Sequence, residues 1–428
     1  MHTTIQDLYR VYQAHPSVQT DTRKLKSGDL FFALKGPNFN ANLFAATALE
    51  LGAAYVVVDD AAVVQNERYL LVEDALTALQ QLAAYHRNQL SIPFIAITGS
   101  NGKTTTKELV HAVLSARFKT IATQGNLNNH IGVPLTILSI PPDAEMAIIE
   151  MGANHLREIA SYCEIARPGF GIITNCGKAH LEGFGSLEGV RKAKGELYDY
   201  LRAHGGTAFR NEDLDYLKDM ANGITSQVTY GQANATYIGK PLYADGMLSV
   251  AVLNSGSETQ IYTQLVGVYN FPNVMVAIAV GRYFKLGIDE IKTALENYEP
   301  GNSRSQLVNW QGNKVILDAY NANPSSMKVA VDNMVAATAT TKVLLLGAMK
   351  ELGNESIQEH QQLVNQVAQA GFTHVVLVGG DFAAVDHKGY PYFETYTGAR
   401  DWLLAQRFKD ALVLVKGSRA MTMEKIIA

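Results

Sequence analysis

The stretch FIAITGSNGKTTTKELV, residues 94–110, constrains the fold of this chain more than any other part of it. An apolar run at 94–98 leads into Gly-Ser-Asn-Gly-Lys-Thr-Thr, and residues 107–116 then show helical spacing at Leu109, Val110, Val113 and Leu114. Strand, glycine loop and helix in that order form the frame of a phosphate-binding loop. Gly99 and Gly102 let the backbone curl without Cβ clashes, so N–H groups and the positive helix end point at phosphate oxygens. Lys103 is placed to reach the terminal phosphates and Thr104 to ligate Mg²⁺. In the widespread form, G-x-x-x-x-G-K-[ST], a glycine would stand at Ile97, so the loop here is the shorter G-x-x-G-K-T. The expected nucleotide-binding residues are Gly99, Ser100, Asn101, Gly102, Lys103, Thr104 and Thr105. A bare G-x-x-G would equally suit a turn that binds nothing; Lys-Thr-Thr between strand and helix favours phosphate.

Short β-branched runs alternate with helical patterns almost throughout, which argues for α/β units with largely parallel sheets. The runs fall into three groups. The first holds 30–34, 55–58 and 69–72, then a helix from about Leu76 that ends before Pro93, a plausible boundary. The second opens with the phosphate loop, continues through 146–150 and 171–174, and includes a stretch at 225–265 that reads as irregular. It ends near ENYEPGNSRSQ. The third, with strands at 314–318, 343–347, 375–379 and 412–416, resembles a doubly wound domain. Domains at 1–90, 91–300 and 301–428 are expected.

In such sheets ligands gather beyond the carboxyl ends of strands, so polar residues closing apolar runs are informative. Glu150 closes MAIIE, either as a Mg²⁺ ligand or as a carboxylate capping the next turn. His180 ends GIITNCGKAH, as a structural histidine or a metal ligand, although Mg²⁺ prefers oxygen. Asp318 closes KVILD, where it could bond a ribose hydroxyl or simply shape a turn. Lys194, beside a helical stripe of Val190, Ala193, Leu197 and Leu201, reads from periodicity alone as a solvated lysine.

A net charge of −4 with 18% charged residues offers no basic field for nucleic acid. Two cysteines, Cys163 and Cys176, make neither a disulfide framework nor a zinc set, so a reducing compartment is expected. The N-terminal residues lack the cationic flank and apolar stretch of a secretory signal, and no apolar run approaches the roughly 18 residues that cross a bilayer. A cytoplasmic protein without membrane insertion is expected.

The blocks TDTRKLKSGDLFFALKG, GSNGKTTTKE, GNLNNHIGVP, EMGANHLREIA, AHLEGFGSLEGVRKAKGELY, DAYNANPSSM and LVKGSR resemble the ATP-dependent Mur ligases of bacterial cell-wall synthesis, over nearly the whole chain. Their nucleotide loop has the same short form. The resemblance implies three domains: a small N-terminal α/β domain for the uridine nucleotide, a central P-loop ATPase-like parallel sheet, and a C-terminal Rossmann-like domain receiving the amine. It implies that D-alanyl-D-alanine is joined to UDP-N-acetylmuramoyl-tripeptide through an acyl phosphate, using ATP and two Mg²⁺ ions.

By motif, Lys103 and Thr104 would serve the phosphates and the first Mg²⁺ with Glu150, and His180 the second. Asn273 matches the residue facing adenine, Arg304 the arginine approaching the γ-phosphate, and Asp318 the ribose contact. Lys194 matches a lysine that is carbamylated to become an oxygen ligand. Thr22, Arg23, Asn128, Asn129, Asn321 and Asn323 fall in substrate-binding blocks. A monomer is expected. The chain departs from the family pattern at Tyr269, at residues 39–44 and at Ala348, where an acid is usual. Another amide ligase on the same core, such as a folylpolyglutamate synthase, lacks the N-terminal block; a nucleotide-binding protein without ligase activity would not need Lys103, Thr104, Glu150, His180 and Arg304 together.

Overall fold

Apolar β-branched runs that are buried on both faces form parallel strands covered by helices, and three sheets of this kind make up the computed structural model of the chain. It describes residues 2–244, 247–254, 256–301 and 303–428. The N-terminal sheet is all parallel, in the spatial order Val18–Gln19, Leu30–Phe32, Tyr55–Val58, Tyr69–Leu71. Helix Ala75–Arg87 covers one face, burying Leu79, Leu82 and Ala83, and is capped by the Asp74 side chain on Thr77 N–H.

The central sheet has nine strands. From one edge it runs Thr120–Ala122, Met146–Glu150, Phe94–Thr98, Phe170–Ile173, Thr207–Asn211 and Ser226–Gly231, all parallel. Phe94–Thr98 is the earliest strand in sequence, and later strands lie on both sides of it. That makes its carboxyl end the topological switch point, where α/β sheets open a crevice. The sheet continues through Tyr237–Ala244, Met247–Asn254 and Ser257–Val266, the last two pairing antiparallel. This is the stretch that reads as irregular in the sequence; Asp245, Gly246 and Ser255 within it lie outside the described residues. It is regular because its alternation is one-sided: Ile261 and Leu265 are buried while Tyr262 is 60% exposed. Pro241 weakens the strand signal, yet it sits in register opposite Val250.

In the C-terminal sheet Gln306–Trp310 pairs antiparallel with Asn313–Asp318, followed by Leu412–Lys416, Lys342–Gly347, His374–Val378 and Tyr392–Phe393 in parallel. Helix Phe271–Tyr283 is buried on nearly every side and packs against helix Lys103–Ser115, anchoring the phosphate loop to the core. No helix among the described residues is long and apolar enough to cross a membrane.

Candidate active site

The loop that follows Phe94–Thr98 is shaped by the end of the neighbouring strand. Gly99 has φ 145°, and a Cβ there would stand 1.9 Å from Thr174 Oγ1. Thr174 Oγ1 and Asn175 Nδ2 both donate to Asn101 O, at 2.6 and 3.0 Å, while Asn101 N–H donates to Asn175 Oδ1. Ser100 Oγ and Gly177 exchange two further hydrogen bonds. Gly102 takes the N-cap position of helix Lys103–Ser115 at φ 81°, and no side chain caps it. The first-turn N–H groups are therefore open toward the cleft, as an anion site requires. Lys103 bends back to donate to Gly99 O at 2.6 Å and Ser100 O at 3.1 Å.

Glu150, 1% exposed at the end of Met146–Glu150, tests the Mg²⁺ expectation. Its Oε1 accepts from Thr104 Oγ1 at 3.2 Å and Asn128 Nδ2 at 2.7 Å, whereas Oε2 is buried with no partner. An orphaned carboxylate oxygen beside a threonine hydroxyl fits a hard cation, whose remaining ligands would be phosphate oxygens and water. No cluster of three His, Cys, Asp or Glu forms a protein-only metal cage among the described residues, and Mg²⁺ does not need one.

His180, with φ 52°, lies on the cleft wall. Lys194 does not. It is 1% exposed on helix Leu187–His204, behind the wall residue Ala153, to whose carbonyl its Nζ donates at 3.2 Å, with the Phe184 ring 5.1 Å away. Periodicity placed it in solvent; tertiary packing buries it. Burial, reinforced by Lys103, pushes its pKa down to about 7. Burial also lowers the pKa of Lys103, against the pull of Glu150 and with a push from Arg304, although its side chain keeps partial access to the cleft.

Across the cleft, of about 1250 Å³, stand the carboxyl ends of the C-terminal sheet. Arg304 lies 3.6 Å over the Tyr320 ring, its Nε buried without a partner. Asp318 is held by Lys416 and accepts from Ser305 N–H at 3.3 Å. Asn273 sits beneath Gly102, accepting from Thr106 Oγ1 and donating to Asn270. Asn129 Oδ1 accepts from Ile131 and Gly132 N–H, and Asn321 Oδ1 from Ala322 N–H.

Most of the expected residues thus meet around one cleft; besides Lys194 and Gly99, three do not reach its wall. Asn323 caps helix Pro324–Ala336 and forms a reciprocal amide pair with Asn101. Thr22 and Arg23 lie on the N-terminal unit, where Arg23 is 87% exposed and paired with Asp21. Sequence reading missed other residues that shape the site: Thr174 and Asn175, legible only as a polar strand end; Tyr320, Ser325 and Glu351, which line the cleft from blocks whose other residues drew attention; and Glu359 behind it, which carries no local signal.

Residues 16–87 match the Mur ligase family, catalytic domain; 97–281 the Mur ligase middle domain; and 303–419 the Mur ligase, glutamate ligase domain. The chain is 34% identical to the UDP-N-acetylmuramoyl-tripeptide--D-alanyl-D-alanine ligase of Bacillus subtilis (strain 168), over 96% of this chain and 92% of that one. Its identity to the enzyme of the same name from Escherichia coli (strain K12) is 35%, with the same coverage. Among solved structures, MurF from Acinetobacter baumannii superposes with a TM-score of 0.88 at 29% identity, covering 99% of this chain and 97% of that one. MurF ligase from Thermotoga maritima in complex with ADP gives 0.87 at 25%, covering 96% of each. With the domains matched in order and relatives aligned over almost its full length, this chain belongs to the Mur ligase family.

Proposed function

We infer that this chain is an ATP-dependent ligase joining D-alanyl-D-alanine to UDP-N-acetylmuramoyl-tripeptide in peptidoglycan precursor synthesis. The observation that carries the reading is a single cleft combining an uncapped helix N-terminus, an orphaned carboxylate oxygen and cations without acidic partners, in a chain whose near-full-length relatives bear that name. A carboxylate is a poor electrophile, and coupling it to an amine in water is uphill. Transfer of the γ-phosphoryl group to the terminal carboxylate of the tripeptide gives an acyl phosphate. The amine of D-alanyl-D-alanine then attacks its carbonyl carbon, and phosphate departs from the tetrahedral intermediate.

The helix N-terminus and Lys103 hold the β- and γ-phosphates, and Arg304 neutralises charge that spreads over the transferred group. Asn273 faces adenine, and Asp318, paired with Lys416, accepts from the ribose. Thr104 and Glu150 would hold one Mg²⁺, His180 and a carbamylated Lys194 the second. Bound there, the ions would screen the phosphate charge and polarise the bond to be broken. Carbamylation joins the neutral lysine amine to CO₂ with loss of one proton, replacing a cation by an oxygen donor. A buried lysine bonded only to one carbonyl, with its pKa near neutrality, suits that reaction. Thr22 and Arg23 bind the uridine part of the donor, while Asn128, Asn129, Asn321 and Asn323 orient the peptide and the acceptor. We read the working unit as a cytoplasmic monomer, a reading supported by one chain carrying every group invoked and by the consumption of ATP on a wall precursor.

The test is phosphate release from ATP with candidate donors and acceptors mixed pairwise. Release requiring both UDP-N-acetylmuramoyl-tripeptide and D-alanyl-D-alanine supports the reading. Release independent of the dipeptide, or equally fast with a single amino acid in its place, overturns it.

A further inference from the structure

The segment that carries His180 belongs to the central sheet but is gripped by the C-terminal one. Lys178 N–H donates to Ser325 Oγ at 2.9 Å, and Gly177 approaches so closely that a Cβ would stand 2.7 Å from the same oxygen. Lys178 Nζ pairs with the buried Glu359 at 2.6 Å. Two residues further on, His180 Nδ1 lies 2.6 Å from Glu351 Oε2, close enough for an ion pair though without the alignment of a hydrogen bond. Glu182 N–H donates to Glu351 O at 3.3 Å, closing the contact through the backbone.

Both partners are in the left-handed region, His180 at φ 52° and Glu351 at φ 64°. Neither is a glycine, so each carries backbone strain. Such strain persists only where the surroundings over-determine it. Here two strained residues from opposite units face each other across the cleft. Glu351 is also the one acid in the segment GAMKELG, residues 347–353, because Ala348 stands where the family pattern has another.

We propose that Glu351 is a positioning residue for His180: by engaging Nδ1 from the opposite unit, it orients the ring and leaves Nε2 as the nitrogen available to a cation in the cleft. The proposal rests on the reading of His180 as a ligand of the second Mg²⁺. A histidine that binds a metal through one ring nitrogen commonly engages a carboxylate through the other, which fixes its tautomer and raises its basicity. The consequence specific to this fold is that ligand and carboxylate sit on different units. The second cation site is complete only when the C-terminal unit stands where it does here, so the amine-binding side licenses the phosphate side.

The test titrates Mn²⁺ into the full chain with a non-hydrolysable ATP analogue, counting free and bound ions by electron paramagnetic resonance. Glu351→Gln keeps the size of the side chain and removes its charge. It should weaken the second Mn²⁺ about tenfold or more, leaving the first Mn²⁺ and the nucleotide affinity within about twofold. Lys178→Ala breaks the neighbouring ion pair of the same junction and should leave both Mn²⁺ sites within about twofold. Unchanged Mn²⁺ affinities in Glu351→Gln overturn the proposal, as does an equal loss in Lys178→Ala, which would mean general loosening of the junction. His180→Ala separates the two layers. If it leaves the second Mn²⁺ unaffected, the metal reading of His180 fails and takes this inference with it; if it weakens that ion while Glu351→Gln does not, the role of Glu351 alone is overturned.

Discussion

Gly102→Ala puts the geometry of the phosphate loop to a quantitative test. Gly102 has φ 81°, and a Cβ on it would lie 2.7 Å from Asn273 Oδ1. The left-handed backbone alone costs an alanine on the order of 1–2 kcal/mol. Relieving the clash means turning Asn273 away, which forfeits its hydrogen bonds with Thr106 at 3.1 Å and Asn270 at 2.9 Å, each contributing about 0.5–1 kcal/mol. The total is about 2–4 kcal/mol. It can appear in two places: if the loop cannot relax, the fold loses stability; if it does relax, ATP must restore the strained shape and loses affinity. The two losses should therefore sum to about 2–4 kcal/mol, and one taken wholly by binding corresponds to roughly 30- to 1000-fold in Kd.

Calorimetry with ADP and chemical denaturation of the same preparation measure both. Gly205→Ala is the control. Gly205, at φ 67°, ends helix Leu187–His204, and a Cβ on it would meet nothing within 4 Å, so the substitution should lose about 1 kcal/mol of stability and no ADP affinity. Gly102→Ala with wild-type ADP affinity and an unchanged denaturation midpoint would refute the reasoning, because the Asn273 contact would then not constrain the loop.

Lys103→Ala should remove most turnover while calorimetry shows donor binding largely intact, since Thr22 and Arg23 lie on another unit; loss of both together would contradict that assignment. Arg304→Ala should lower kcat more than it raises KM for ATP, as expected of a contact that strengthens when charge develops on the transferred group. Lys194→Ala should nearly abolish ligation, with partial recovery on adding formate or acetate; near-normal activity without additives would eliminate the carbamate. Burial lowers the pKa of His86, His111 and His360 below the ordinary 6.5. The unfolded chain then binds protons first, so stability should fall as pH drops from about 6.5 toward those lowered values, and His86→Leu should flatten part of that slope in denaturation series.

The phosphate loop was legible because its signal is local: two glycines, a lysine and a threonine between a strand and a helix fix the backbone they need. The positions of Glu150 and Asp318 were legible for a related reason, since a strand ending in an acid sets that acid at the crevice; the residues alone left their roles open. Lys194 was not, because helical periodicity reports one face of one helix, whereas its burial comes from Phe184 and Ala153 closing over it. The contacts of Lys178 with Ser325 and Glu359 join residues 147 and 181 positions apart, and no window along the chain contains both ends. Asn128 is a subtler case. Its block pointed to substrate, and its side chain holds Glu150 at 2.7 Å, a task visible only once two strands stand side by side.

The charge pattern of the cleft explains how a chain of net charge −4 can handle two anionic nucleotides. Several other charges, in the cleft and beyond it, are paired: Lys416 with Asp318 on the cleft wall, and the buried acids Glu359 and Asp59 with the half-exposed Lys178 and Lys35. Lys103, Lys194 and Arg304 differ. Among the described residues the first two bond to carbonyl oxygens and the third lies against an aromatic ring, with no carboxylate partner for any of them. An unpaired cation held away from water is costly, and burial lowers the pKa of both lysines, with a further push from Arg304 on Lys103 and from Lys103 on Lys194. That arrangement is stabilised by an arriving phosphate rather than by the fold. For Lys194 the proposed carbamate would relieve it in another way, since loss of the proton leaves the neutral amine that can take up CO₂. Repulsion from Lys103 thus links nucleotide binding to the state of Lys194: a phosphate that neutralises Lys103 raises the proton affinity of a free Lys194 amine, whereas a carbamate formed beforehand is held by the same cation. If Lys194 is carbamylated as proposed, carbamylation before ATP binding is the order this electrostatics favours.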